Sequence, residues 1–282
     1  MKEEEILIAL FVYNRDAELH TMLSSMRQHA SGFDAIVYDD GSTNAETHKL
    51  LEQNQDLFTE VFKQPIQAKT KTRGQLAENI QRAYEYASEN NYKYLFLVQD
   101  DMQFVRTFSQ EIRDEYASYF TKDNSVIQVD PRFLRRLGKI EVNQDFGGYL
   151  FSEKDFRRSY ADVGILSIER MNTLAWSFEQ TERENKIKAS NLGCKRIFPY
   201  RPLVMHVPYP TIYRKGKLKS KFPSPFVSRG NVRFRDLTKV EIVQIDQRPL
   251  SVIPYAKDFL TVERLGFARL HYTYAKENKI FA

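Results

Sequence analysis

Four short stretches set polar side chains at the ends of apolar runs or at the start of a helix. They are Tyr13 and Asn14 in FVYNRDAEL, Asp39 and Asp40 in VYDDGSTN, Arg73 in KTRGQLAEN, and Asp100 and Asp101 in LFLVQDDMQF. Carboxylate oxygens are the ordinary ligands of hard divalent cations, and an acid pair just past a buried strand holds such ligands on a rigid support. Each stretch alone has a plainer reading. Asn14 starts a turn or caps the following helix. Asp39 to Gly41 form a turn, Arg73 is a solvated helix residue, and Asp100 and Asp101 cap the next helix. Their joint occurrence in this order, each at an element boundary, favours one shared site over four unrelated turns.

The elements that must position them follow from the apolar pattern. Residues 5–12 are an almost continuous apolar run, as expected of a strand buried on both faces. Helical spacing over 16–30 puts Leu19, Met22, Leu23 and Met26 on one side. Residues 33–38, 58–62, 92–98 and 126–129 read as further strands. Over 73–87, Leu76, Ile80, Ala83, Tyr84 and Ala87 share a helical face. Strands alternating with helices predict βαβ units and a mostly parallel sheet. Ligands bind such sheets beyond the carboxyl ends of the strands, where the residues after Val12, Tyr38 and Val98 fall.

With 282 residues, 28% charged and 42% hydrophobic, the chain suits one large soluble domain, or one with an appendage. The 16 Tyr and 20 Phe fill cores but also line sugar and base pockets. A net charge of +5 is compatible with anionic ligands or a membrane surface. Cys194 is the single cysteine, which rules out an intramolecular disulfide and agrees with a reducing compartment. The start MKEEEILIALFVYN lacks the basic region of a signal peptide, and no apolar run is long enough to span a bilayer. The expectation is a cytoplasmic protein, at most peripheral at the inner face of a membrane.

The order VYNR, YDDGSTN, RGQLAEN and LVQDDM resembles a family 2 glycosyltransferase of the GT-A fold, over roughly the first three-quarters of the chain. The resemblance implies a Rossmann-like α/β fold, with a mostly parallel central sheet flanked by helices and a basic C-terminal extension. Residues 1–210 would be the nucleotide-sugar-binding and catalytic domain and 211–282 the extension. It implies a nucleoside-diphosphate sugar donor, UDP-linked, and a Mn2+ or Mg2+ ion that neutralises the diphosphate as it leaves. Asp101 would ligate the metal directly, and Asp100 would contact the donor ribose or the metal. Asp39 would accept from the nucleobase, Asp40 and Asn14 would shape the same pocket, Tyr13 would stack near the base, and Arg73 would lie over the nucleotide. The chain departs from the usual pattern at Gln99, which makes the acidic motif QDD and removes one charge.

The second half adds a strand over 163–168, a helix over 182–192 and Gly193 as its C-cap. In the resembling family an acid two to three turns before such a glycine is the base of an inverting transfer, which points to Glu182, then Glu184, with Glu179 also open. A carboxylate within hydrogen-bond reach can take the acceptor hydroxyl's proton. The plainer reading pairs Glu182 with Lys186 at i,i+4. His206, after a short apolar run, either packs as a hydrogen-bonded core residue or, as the resemblance implies, completes the metal site.

Residues 211–235 read as a long basic loop, 240–245 as a strand and 258–278 as a helix. The loop is a solvated surface, a cover for the donor diphosphate through Arg214, Lys215 or Lys217, or a contact with anionic lipid. No recognition helix or RNA-binding motif accompanies the charge, which disfavours nucleic acid. The acceptor would be a glycan or a lipid-linked sugar. Two rivals stand beside this reading. A sugar-1-phosphate nucleotidyltransferase would need a glycine-rich loop after the first strand, which VYNRDAEL lacks. A catalytically inactive nucleotide- or glycan-binding protein is kept open by Gln99.

Overall fold

Every residue of Ile6–Val12 is buried, and together they form β1 of the computed structural model. The structure describes residues 1–63, 75–135, 138–214, 217–218, 230 and 232–263. Around β1 the chain lays down α1 (Asp16–His29), β2 (Asp34–Asp39), α2 (Ala45–Gln53), β3 (Glu60–Lys63), α3 (Leu76–Glu89) and β4 (Tyr94–Gln99). Then come β5 (Met102–Phe104), α4 (Gln110–Lys122), β6 (Val126–Val129), and a hairpin of β7 (Ile140–Asn143) and β8 (Gly148–Phe151). The strand β9 (Gly164–Ser167) runs into α5 (Ile168–Thr173), and α6 (Glu182–Asn191), β10 (Lys195–Ile197) and β11 (Val204–His206) follow.

The central sheet has seven strands in the order β10-β6-β9-β4-β1-β2-β3. All pair in parallel except β9, which runs antiparallel between β4 and β6. Successive residues of a strand face opposite sides, and β1 shows it. Ile6, Ile8, Leu10 and Val12 pack with α1 and α4, while Leu7, Ala9 and Phe11 pack with α3 and α5. Both faces are covered, which explains the unbroken apolar runs.

The C-terminal part packs onto this sheet domain. It comprises β12 (Tyr213–Arg214) and β13 (Lys217–Leu218), which form a short hairpin, then β14 (Arg233–Phe234), α7 (Lys239–Asp246), α8 (Ala256–Phe259) and β15 (Val262–Glu263), which pairs with β14. Val232, Phe234, Ile245 and Leu260 share a buried cluster with Val105, Phe133 and Met205. Arg106 fixes α7 through a bidentate pair with Asp246 at 2.7 and 2.6 Å.

Three expectations change here. Residues 240–245 are helical, not a strand. Thr238 and Glu241 form a reciprocal capping box that starts α7, and this local signal overrides the β-branched run that follows it. The basic loop over 211–235 contains the two-residue strands β12, β13 and β14. The helix expected over 258–278 is, in its described part, only the end of α8 followed by β15, and 264–282 lie outside the described residues. Among the described residues no helix is long and apolar enough to cross a membrane.

Candidate active site

The carboxyl ends of β2, β1 and β4 lie side by side, in register Val12 with Asp39 and Phe11 with Gln99. Asn14 locks this edge together. Its backbone is left-handed at φ 52°, its amide oxygen accepts from Thr43 N at 2.7 Å and Asn44 N at 3.0 Å, and its own N–H donates to Ser42 Oγ at 3.0 Å. An asparagine tolerates that backbone better than a bulky residue. Asp39 is buried and accepts from Ser42 N at 2.9 Å, while Gly41 takes φ 74° to turn the chain between them. The turn and the acid are thus one construction, with Asp39 Oδ1 folding DDGST back on itself. Asp40 accepts from Gln75 N at 3.1 Å, and burial pushes its carboxyl up. The Tyr13 ring meets Tyr213 edge-on with centroids 5.4 Å apart, and Tyr213 Oη donates to Asn14 O at 2.9 Å.

Beyond β4, Asp100 accepts from Tyr13 N at 2.8 Å and from Arg15 Nη1 at 2.6 Å. The same Arg15 nitrogen lies 3.1 Å from Asp101. On the other side, His206 Nδ1 is 3.1 Å from Asp101 Oδ1, and Arg132 Nη1 is 3.0 Å from His206 Nε2. A guanidinium only donates, so Nε2 accepts and Nδ1–H donates to Asp101. Burial raises the cost of charging Asp101, but Arg15 and His206 outweigh it and hold the carboxyl far below its usual range. Burial also lowers the imidazole, keeping His206 neutral against the pull of Asp101.

Asp101 and His206 are of the donor types an open metal site uses, and in this structure Arg15 and Arg132 engage them. Among the described residues no three His, Cys, Asp or Glu side chains gather into a metal-binding group. A hard cation commonly takes one or two protein ligands and fills the rest with phosphate oxygens and water, and a carboxylate beside a neutral imidazole offers those two. The imidazole lone pair available for that role is the one Arg132 engages.

Arg132 links this edge to a second region. Its Nε and Nη2 grip buried Asp130, just past β6, at 2.7 and 2.5 Å, and Arg196 from β10 adds a bond at 2.8 Å. A cleft of about 180 Å³ opens beside them, lined by Glu182, Lys186, Arg132, Arg135, Arg157 and Arg196 among others. Glu182 is the first residue of α6, capped by Thr181, whose hydroxyl oxygen accepts from Glu184 N at 3.2 Å. Burial pushes the Glu182 carboxyl up, but Lys186 at 2.8 Å, with Arg132 and Arg196, brings it below the ordinary glutamate range. Nearby Asp162 is pushed up to about 7 by burial and by Glu182.

The structure therefore gathers Tyr13, Asn14, Asp39 and Asp40 at one corner, and Asp100, Asp101 and His206 beside it. It sets Glu182 in the adjoining cleft. Glu184 is elsewhere engaged, its carboxylate accepting from Thr181 Oγ1 at 2.6 Å, and Glu179 pairs with Lys188 at 3.1 Å. Arg73 and Lys215 lie outside the described residues, as do the side chains of Arg214 and Lys217. Arg15, Asp130, Arg132, Asp162 and Arg196 were not anticipated. Asp130 had a readable signal, as the first residue after an apolar strand, like Asp39 and Asp100.

No family model matches the sequence, and no curated protein does. Solved structures do. S. aureus TarS 1-349 in complex with UDP aligns at TM-score 0.50 and 11% identity, over 71% of this chain and 59% of that one. S. aureus TarS 1-349 gives 0.49 at 13%, over 71% and 60%. The mannosyltransferase PcManGT from Pyrobaculum calidifontis, in complex with GDP-Man and Mn2+, gives 0.48 at 14%, over 74% and 58%. The chain spans less than two thirds of the length of each of these. The likeness is one of fold: this chain has the GT-A-like α/β fold, a mostly parallel sheet flanked by helices.

Proposed function

We propose that the chain is a glycosyltransferase that moves a sugar from a UDP-linked donor to a glycan or lipid-linked acceptor, with inversion. One observation carries this reading. Acids at the ends of adjacent strands, Asp39 and Asp40 after β2 and Asp100 and Asp101 after β4, share an edge with His206. Arg132 ties that edge to the cleft of Glu182.

In this reading Asp39 accepts from the base N–H, Tyr13 stacks near the base, and Asp100 contacts the ribose. Asp101 and His206 hold Mn2+ or Mg2+, which when bound supplies positive charge against the leaving diphosphate. Glu182 takes the acceptor hydroxyl's proton as that oxygen bonds to the anomeric carbon. The bond from that carbon to the diphosphate oxygen breaks, and the nucleoside diphosphate leaves with the electron pair. The low pKa of Glu182 makes it ionised at neutral pH, and Lys186 must loosen for it to accept. Residues 1–210 carry the chemistry, and described residues of the C-terminal extension buttress it, Tyr213 on Asn14 being one such contact.

A second reading, an inactive nucleotide-binding protein, draws on Arg15. Its guanidinium already supplies a cation to Asp100 and Asp101, and Gln99 lacks the usual charge. A panel of nucleotide sugars, scored for metal-dependent release of nucleoside diphosphate, separates the two. Nucleotide binding without turnover on any donor favours the inactive protein. Binding of no nucleotide overturns both.

A further inference from the structure

The cleft beside Glu182 is strongly cationic for a site meant to take a neutral sugar. Arg132, Arg135, Arg157, Arg196 and Lys186 line it, against the single carboxylate Glu182. Behind the lining, Asp130 reaches Arg132 and Arg196, and Asp155 reaches Arg157 at 2.5 Å. Asp162 adds only part of a charge near neutrality, since its carboxyl sits at about 7.

The cations are also built in. Arg196 is fully enclosed, donates to Asp130 and to Arg157 O, and its Nε–H has no acceptor among the described residues. Its guanidinium stacks over Phe198 at 4.9 Å and Phe151 at 5.5 Å, and Arg157 stacks over Phe151 at 4.5 Å. Such stacking fixes guanidinium planes in place. Burial, with Arg132 and Arg157 alongside, lowers Arg196 to about 10 despite Asp130. A buried guanidinium with an idle donor is relieved by an anion that accepts from it. The volume, about 180 Å³, falls below the roughly 300 Å³ at which pockets enclose larger ligands. It suits one small group.

We infer that this cleft is a subsite for a phosphoryl group carried by the acceptor, next to the hydroxyl that Glu182 deprotonates. The assignment rests on the glycosyltransferase reading for the word acceptor; the anion site itself rests on the arginines. The substrate class is then a phosphorylated polyol or sugar rather than a neutral glycan.

Titration calorimetry tests it, with glycerol 3-phosphate as the probe and glycerol as its neutral match, in the presence and absence of UDP. Glycerol 3-phosphate is expected to bind and glycerol not to, and UDP is expected to leave that affinity within about twofold. Arg157→Gln is expected to weaken binding about tenfold, the loss of one charge-assisted bond. Glu182→Gln is expected to strengthen it by removing a like charge. Arg135→Gln replaces Arg157→Gln should the latter fail to fold.

Absence of binding overturns the inference. So does displacement by UDP, which would give the cleft to the donor's own diphosphate, and so does indifference to the arginine substitutions, which would lodge the probe elsewhere. The two readings fail separately. Binding of UDP without glycerol 3-phosphate keeps the transferase and sinks the subsite. Binding of glycerol 3-phosphate without any nucleotide keeps the anion site and sinks the transferase.

Discussion

Asp101 and His206 stand 105 positions apart in the chain and 3.1 Å apart in the fold. Backbone pairing makes the contact. β11 lies antiparallel to β5 with His206 opposite Met102, and Val207 N donates to Asp101 O at 2.8 Å. Asp101→Asn keeps the shape and removes the charge. It is expected to cut metal-dependent donor turnover by about 100-fold or more, with His206→Ala costing less because a water can replace one imidazole. Metal titrations of both variants check this, and an Asp101→Asn protein with unchanged metal response would remove Asp101 from the metal site.

Glu182 and Glu184 are two residues apart and have different surroundings. Glu182 faces the cationic cleft, and Glu184 turns back to Thr181 as part of the cap. Glu182→Gln is expected to lower transfer by roughly 10²- to 10⁴-fold and to leave nucleotide binding intact. Glu184→Gln is expected to keep transfer within about twofold and to cost only part of a helix cap, under about 1 kcal/mol. Equal losses in both would refute a single base at Glu182.

Asp162 gives the protein a pH signature. Its carboxyl moves from the ordinary 3.8 to about 7 in the folded chain. Below 3.8 both folded and unfolded forms hold the proton, so there is no effect. Between 3.8 and about 7 the unfolded chain releases it and the folded chain keeps it. Stability therefore falls as pH rises through that window and levels off above it. Asp162→Asn removes this contribution, so the variant's Tm is expected to gain on the parent's across the window. Parallel Tm curves would show that Asp162 ionises normally.

Gly164 and Gly193 both take positive φ, at 115° and 69°, in different company. A Cβ on Gly164 would lie 2.7 Å from Val129 O and 3.3 Å from Asp130 Cα, whereas one on Gly193 meets nothing within 4 Å. Gly193→Ala carries only the backbone penalty, about 1 kcal/mol. Gly164→Ala adds a clash between β9 and β6, where neither backbone can yield, and is expected to cost over about 2 kcal/mol. Urea unfolding of the two variants compares them directly, and equal losses would remove the clash from the account.

Elements written in a repeating apolar pattern could be read directly. The strand over 126–129 coincides with β6, and the one-sided helix over 16–30 with α1 (Asp16–His29). Doubly buried strands and one-sided helices leave periodicities that no tertiary contact needs to supply. α7 was misread because Val240, Ile242 and Val243 look like a strand and the deciding signal, Thr238 with Glu241, lies at its margin. The two-residue strands of the basic segment have no period to read. At the site, residues following parallel strands stood out because the rule for such sheets points there. Asp162 escaped because it precedes a strand. Only the antiparallel run of β9, a topological fact, brings that end to the same edge. Arg132 and Arg196 escaped because their meaning lies in Asp130, which they share across separate elements.

The alternation of Asp100, Arg15, Asp101, His206, Arg132, Asp130 and Arg196 along one sheet edge has a consequence for how the protein comes into being. Carboxylates crowded together would resist closure of the sheet until something cationic arrived. Here the chain brings its own counter-ions, so closure of the sheet does not wait for an outside cation. Under the proposed function, ligand capture would be an exchange of resident cations for visiting ones, instead of the filling of an empty, self-repelling hole.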